Sequence, residues 1–455
     1  MKRQADLRWV MLLLFILGWQ GLTAQQAILD QYVQEGLENN LALKRQDMSY
    51  EKSLQALKEA KGLFLPGVSF NASYTLANGG RAIDFPIGDL LNPIYGTLNQ
   101  LTESQSFPSD LPNESIQFLP NNFHETKTVV SQPLFNTDIY YNYKAKTALT
   151  EVEKASKEVF QLQLVRDIQV AYLGYLQTLE GLEIFRETAI LLDEVKRVNK
   201  KLVASQKSTR EVISQTDFQI SDIAQQEASI KQKEDAAKAY FNFLLNRPLD
   251  APIQIDSSLI SDRQLGNLDE LTSEALQKRP EFTQLDKAQE ANQFAVKRYQ
   301  YANLPKLGVG LELGFQGFGY NFGDNQAYYL AGFSLNWDLF KGGQNKAAKQ
   351  QALLDQQMLV NQEEELRQQI ALQLRQNYFA AEAAKAKEGS ARDGLASARQ
   401  SFHIINKKYQ NQQASFLDYL QAQTNMTTAR LNLSSSHYEY LTKLAELAYA
   451  AGKSL

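Results

Sequence analysis

Twice along the chain, a helical spacing of apolar residues sustained for about thirty positions gives way to strict alternation. Val68-Ser69-Phe70-Asn71-Ala72-Ser73-Tyr74-Thr75-Leu76 alternates apolar with small polar residues. Leu307-Gly308-Val309-Gly310-Leu311-Glu312-Leu313-Gly314-Phe315 repeats the pattern 239 positions further on. Both runs are reached through Leu-Pro, at Leu65-Pro66 and Leu304-Pro305. A period of two sets one face of a strand against an apolar medium and the other against water. With Gly, Ser, Asn and Thr on the wet side, the pattern fits a transmembrane β-barrel with a polar lumen. A return strand follows each run, clear over Tyr329 to Trp337 and weaker over Glu125 to Gln132. Four short strands cannot close a barrel, so the same pattern predicts oligomerisation.

All eleven prolines fall in residues 66–133 or 248–305, leaving 134–247 and 306–455 without one. Proline inside a helix costs about 3 kcal/mol, and both proline-free runs are rich in Ala, Gln, Glu, Lys and Leu, so they predict very long helices. Between Asn136 and Ala204, apolar residues recur every three or four positions, which implies coiled-coil-like packing over on the order of 100 Å. Leu134-Phe135 matches Leu339-Phe340, Ala171-Tyr172-Leu173 matches Asn377-Tyr378-Phe379, and Glu211-Val212 matches Asp418-Tyr419. These correspondences predict a duplicated helix–strand–strand–helix–helix unit over residues 25–248 and 249–455. Strands are expected at about 67–77, 125–135, 306–316 and 328–340, and helical hairpin tips at about 204–210 and 411–417. Residues 79–124, rich in Pro, Asn, Ser and Asp, read as a long loop, and Gln316 to Ala327 as a short one. Asn246 to Gly266 reads as a hinge between the halves.

The N-terminus predicts export from the cytoplasm. Lys2, Arg3 and Arg8 precede an apolar run from Trp9 to Leu17 and a small-residue site at Leu22-Thr23-Ala24, so residues 1–24 read as a signal peptide. No later window approaches the twenty apolar residues of a membrane-spanning helix. Cysteine is absent, which excludes disulfides, thiolate metal sites and a lipid-bearing cysteine. A net charge of −4 provides no basic field for nucleic acid.

On these residues the chain resembles the TolC family of outer-membrane efflux and secretion channels over nearly all of its mature length. The most specific match is Tyr409 to Gln423, where the family has Tyr, a Gly-containing tip, a hydrophobe, Asp, then Leu and Ala-Gln. Leu244-Leu245-Asn246-Arg247-Pro248-Leu249 resembles the family's repeat ending, and Asp84 to Asn99 a segment of its Bacteroidetes-type members. The resemblance implies a mainly α fold with a β-barrel part. Three chains would share a twelve-stranded outer-membrane barrel on a long periplasmic helical barrel. It implies a passive duct in a tripartite efflux or type I secretion system. Its partners would be a periplasmic adaptor, outer-membrane lipid and an inner-membrane pump, RND in preference to ABC, with no cofactor.

Three groups of residues follow. Val68, Phe70, Tyr74, Leu307, Val309, Leu311, Leu313, Phe315, Phe333, Leu335 and Trp337 are expected on the lipid-facing barrel surface, with Phe64, Trp337 and Phe340 near the membrane interface. The resemblance places adaptor contacts at Ser205, Gln206, Lys207 and Ser208, and at Gln412, Gln413, Ala414, Ser415 and Phe416. Where the family has turn glycines, this chain has Ser205 and Gln412. The resemblance also sets Asp418 at the pore constriction, with Gln421 where some members carry a second acid and Ala414 where some carry Arg. Three symmetry-related carboxylates would attract cations. A carboxylate at a helix N-terminus explains Asp418 equally well.

No catalytic constellation is present. His124, His403 and His437 are isolated in sequence, without a metal-ligand partner at i+3 or i+4. The glycines at 308–314 belong to a strand rather than a phosphate loop. The alternatives are a secreted, soluble coiled-coil scaffold and an outer-membrane receptor binding through residues 79–124.

Overall fold

The computed structural model describes residues 28–255 and 265–453. The expected signal peptide lies outside them. In chain order the elements are α1 (Ile28–Asn39), α2 (Leu41–Gly62), β1 (Gly67–Thr75), β2 (Ala82–Phe85), α3 (Ile87–Leu101), β3 (Glu114–Gln117), β4 (Phe123–Phe135), α4 (Thr137–Ala204) and α5 (Glu211–Leu244). The second half continues with α6 (Leu268–Lys278), α7 (Pro280–Gln300), β5 (Lys306–Phe318), β6 (Ala327–Asn336), α8 (Gln344–Gln410) and α9 (Phe416–Ala450). The two proline-free runs contain the 68-residue α4 and the 67-residue α8, and the second also holds β5 and β6.

Polar side chains at corresponding positions interrupt the helices that lead to the strands. Asn40 separates α1 from α2; its Oδ1 accepts from the backbone N–H groups of Ala42 and Leu43, at 2.9 and 3.0 Å. Its Nδ2 donates to the carbonyl of Leu244, the last residue of α5, at 2.8 Å. In the second half, 239 positions on, Arg279 precedes Pro280, whose missing N–H is harmless at a helix start. The buried Arg279 guanidinium pairs with Glu281 and donates to the carbonyls of Tyr449 and Ala450 at 3.4 and 3.2 Å. In both halves a buried polar side chain thus satisfies carbonyls at the C-terminus of the half's last helix. That helix is closed by a left-handed residue, Asn246 (φ 56°) or Gly452 (φ 74°). The next residue then forms an ion pair, Arg247 with Glu35 and Lys453 with Glu274.

Two compact units result, each drawn from both halves of the sequence. One comprises helical segments up to Gln55, Thr147–Ala291 and the chain from Leu354 onward; the other, Ala56–Lys146 and Asn292–Leu353, contains the strands. The helical unit is held by clusters such as Tyr32, Ile168, Tyr172, Phe241 and Leu245, and Ile370, Leu374, Leu447 and Ala450. Burying a side chain of the larger kind contributes about 1.5–3 kcal/mol. In the other unit, β1, β4, β5 and β6 form an antiparallel sheet in the order β1-β4-β5-β6, leaving β1 and β6 as edges.

Two segments differ from the sequence expectation. Residues 79–124 are not merely loop: β2 pairs with β3, and α3 packs Tyr95 on Phe107 while Asn92 and Asn99 bond the backbone at Leu111 and Phe107. The missed signal is the helical spacing of Leu91, Tyr95 and Leu98, obscured by Pro93. The start of the expected hinge is fastened rather than free. Asn242 bonds the carbonyls of Leu249 and Ala251, and Gln254 bonds the hydroxyls of Tyr32 and Tyr172. Residues 256–264 lie outside the described part.

Candidate functional site

The registers sort the sheet residues into two chemically distinct faces. Directly opposed residues share a face, and the pairs Val68–Val130, Val130–Leu311 and Leu311–Ala331 carry one face across all four strands. Val68, Phe70, Tyr74, Leu307, Val309, Leu311, Leu313, Phe315, Phe333 and Leu335 all fall on it. Large apolar side chains stand open there; Val68 and Phe70 are 68% and 69% exposed. Trp337, in the same alternation, lies one residue beyond β6, and its indole donates to the Asn303 carbonyl at 2.9 Å.

At the end of this face nearest the β5–β6 turn, aromatic rings gather. Tyr320 and Phe322 of the turn meet the His124 ring at 4.8 and 5.5 Å; Tyr74 meets Tyr320 and Phe315 meets Phe322. Gln326 bonds the His124 Nε2 at 2.7 Å. His124, isolated in the sequence, therefore anchors the turn. The opposite face carries Ser69, Asn71, Ser73, Gly308 and Gly310. On it Lys127 pairs with Glu125 at 2.8 Å and Glu312 at 3.1 Å, and Tyr328 bonds Glu125. Alternation already placed Glu125 and Lys127 on one side of a strand; only the register added Glu312.

Four helix ends form the hairpin tips, and a buried polar link joins them. Tyr409 of α8 donates to Asn199 Oδ1 on α4, and Asn199 Nδ2 donates to Thr216 Oγ1 on α5 at 3.0 Å. Around this link Val195, Phe416 and Tyr419 pack with Val212, Phe402 and Ile405. Burial pushes the Tyr409 and Tyr419 hydroxyls up from their ordinary value. Phe416 is a correction: it is buried in this cluster and holds the tip together instead of facing a partner. Ser205, Gln206, Lys207, Gln412, Gln413 and Ser415 are exposed, while Ser208 and Ala414 are half-buried. Leu417, not singled out from sequence, is 69% exposed beside them.

The turns close with left-handed residues at Gln206 (φ 57°) and Gln412 (φ 62°), not at Ser205. Each is followed by a residue whose N–H reaches back five positions, Lys207 to Leu202 and Gln413 to Lys408. Glycine adopts this conformation without the steric cost borne by glutamine. Gln412→Gly should therefore stabilise the second tip by about 1 kcal/mol, read as slower amide exchange over residues 405–420.

Asp418 closes a capping box. Ser415 Oγ accepts from the Asp418 N–H, and Asp418 Oδ2 accepts from the Ser415 N–H, both at 3.1 Å. The Ser415 hydroxyl and then its N–H hold the exposed Asp418 carboxyl below its ordinary range. The cap's contribution is therefore present above the unfolded carboxyl value and lost as pH falls through the depressed folded value. Gln421, one turn on, is exposed and bonds Asn425 at 2.9 Å.

A chain with a two-faced, open-edged sheet and long paired helices has the build of an outer-membrane channel. Residues 271–453 match the family described as outer membrane efflux protein. The chain is 26% identical over 333 residues to the alkaline protease secretion protein AprF of Pseudomonas aeruginosa, covering 71% of this chain and 68% of that one. Its fold matches the Campylobacter jejuni CmeC outer membrane channel (TM-score 0.75, 16% identity, 93% of this chain and 85% of that one). It also matches the outer membrane protein VceC of Vibrio cholerae (TM-score 0.71, 15% identity, 94% and 96%). Residues 271–453 thus carry an outer membrane efflux protein domain, and the chain shares the fold of solved outer-membrane channels.

Proposed function

We propose that this channel is a passive homotrimeric duct, joined through its tips to a periplasmic adaptor and powered by an inner-membrane pump. The observation that carries the reading is the four-stranded sheet with one apolar face, one polar face and two unpaired edges. In lipid, open edges leave backbone groups unsatisfied at several kcal/mol each. Three copies joined edge to edge give a closed twelve-stranded barrel, apolar outside and polar within. The exposed apolar residues meet lipid, and the Lys127–Glu125–Glu312 group faces the lumen.

The adaptor-facing set is Ser205, Gln206, Lys207, Ser208, Gln412, Gln413, Ala414 and Ser415, joined by Leu417. Asp418 and Gln421 line the narrow end. The chain performs no catalysis; the pump supplies the energy and the cargo selectivity. An RND-type pump is preferred, and the protease-secretion role in AprF's name represents the rival polypeptide-export reading. Dye efflux in strains lacking one pump class at a time separates them.

The first test is fractionation followed by electrophoresis of unheated and heated samples. A heat-sensitive species about three times the chain's mass in the outer membrane is expected; a soluble periplasmic monomer favours the scaffold instead. Conductance then tests the constriction. Asp418→Asn keeps an acceptor for the Ser415 N–H but removes the charge, so cation preference should fall several-fold. Unchanged selectivity takes Asp418 out of the constriction.

A further inference from the structure

The internal duplication extends to the residue register of the sheet. In the first half Gly67 pairs with Ser131 and Thr75 with Phe123. In the second, Lys306 pairs with Asn336 and Gly314 with Tyr328. Moving β1 by 239 positions and β4 by 205 converts the first set into the second at both ends. The same 205 relates Leu134-Phe135 to Leu339-Phe340.

The junction between the halves is also visible, because β4 pairs with β5: Thr128 with Leu313, Val130 with Leu311, Gln132 with Val309, and Phe135 with Leu307 after a bulge. The corresponding junction at the chain's other edge has no partner. There β6 ends at Asn336 with Leu339 and Phe340 75% and 86% exposed, and β1 spans only 9 residues. The interior strands β4 and β5, each flanked on both sides, run for 13. The edge strands are short where the neighbour that would extend them is missing.

We propose that a second copy of this chain completes the edge in the register of the β4–β5 junction, a reading that rests on the homotrimer above. Applying the two offsets sets Phe333 opposite the partner's Tyr74, Leu335 opposite the partner's Ala72, and Trp337 opposite the partner's Phe70. Past a bulge matching that at Pro133/Phe135, Phe340 lies opposite the partner's Val68. Each pair joins residues of the apolar face, so the seam continues that face from one protomer to the next. A one-residue error would have mixed the two faces. The register also lengthens β6 by pairing residues 337–340, which hold no strand in the single chain.

The chain has no cysteine, so engineered pairs report without background. Directly opposed residues lie about 4.5–5.5 Å apart between Cα atoms, within disulfide reach, whereas partners displaced by two lie about 7–8 Å apart and beyond it. Ala72→Cys with Leu335→Cys, and Tyr74→Cys with Phe333→Cys, should give covalent trimers on oxidation of the full-length protein in outer membranes. Tyr74→Cys with Leu335→Cys, and Ala72→Cys with Phe333→Cys, should give at least tenfold less. Preferential cross-linking of the displaced pairs overturns the register and leaves the trimer intact. A heat-sensitive trimer in which no pair cross-links overturns the β6–β1 seam. Absence of any oligomer in the unmodified protein overturns the homotrimer itself.

Discussion

Arg279→Ala should destabilise the helical unit by about 3–5 kcal/mol, the usual result of removing one member of a buried ion pair. Arg279 is only 4% exposed and does three things at once. It pairs with Glu281, donates to carbonyls at the end of α9, and stacks over the Tyr449 ring at 4.9 Å. A cation at a helix C-terminus also complements the helix dipole. Alanine would leave Glu281, 15% exposed at its side chain, without this partner and the carbonyls without a donor. Denaturant unfolding followed by circular dichroism in detergent measures the loss. The control is Arg392→Ala, which removes a guanidinium 71% exposed in its pair with Glu388 and should cost under about 1 kcal/mol. Equal losses at the two sites would refute the assignment.

Gly314→Ala should abolish the heat-sensitive oligomer, while Gly310→Ala on the same face should leave it intact. A methyl group at Gly314 would lie 2.4 Å from the Thr126 carbonyl oxygen and 2.8 Å from the Lys127 Cα. Both are backbone atoms of the paired strand, so they cannot yield without breaking the β4–β5 ladder. At Gly310 the nearest atom, the Val130 carbonyl oxygen, is 3.9 Å away, an ordinary contact. The two variants share strand, face and substitution and differ only in this clearance. Electrophoresis of unheated outer-membrane fractions reads the outcome, and equal assembly of both variants would show that the sheet tolerates the methyl group.

Alternation and proline placement made the four sheet strands and the two longest helices legible in the sequence, because each depends on local periodicity. The expected strand at 67–77 is observed over Gly67–Thr75, and the helix expected from Asn136 runs over Thr137–Ala204. The insert at 79–124 was read as loop because Pro93 and the Asn- and Ser-rich flanks masked a short amphipathic helix. At the tips the sequence indicated turns and placed the second left-handed residue at Gln412, but it missed the first by one, at Ser205 in place of Gln206, and offered Phe416 as a surface. Whether an aromatic beside a turn points outward depends on its neighbours. Here Tyr409 and Tyr419 lie against it, with ring centroids at 5.7 and 6.2 Å.

What the residues fixed locally is the period of each element, the side of each strand that is apolar, and the 239-residue repeat of the Leu-Pro corners. Tertiary structure decided which distant groups meet: Lys127 with Glu312, Asn199 with Tyr409, Arg279 with the end of α9. The reason is physical. Periodicity is a property of neighbours along the chain, set by backbone geometry. A hydrogen bond or ion pair between residues two hundred positions apart depends on register and packing, which only the assembled fold supplies.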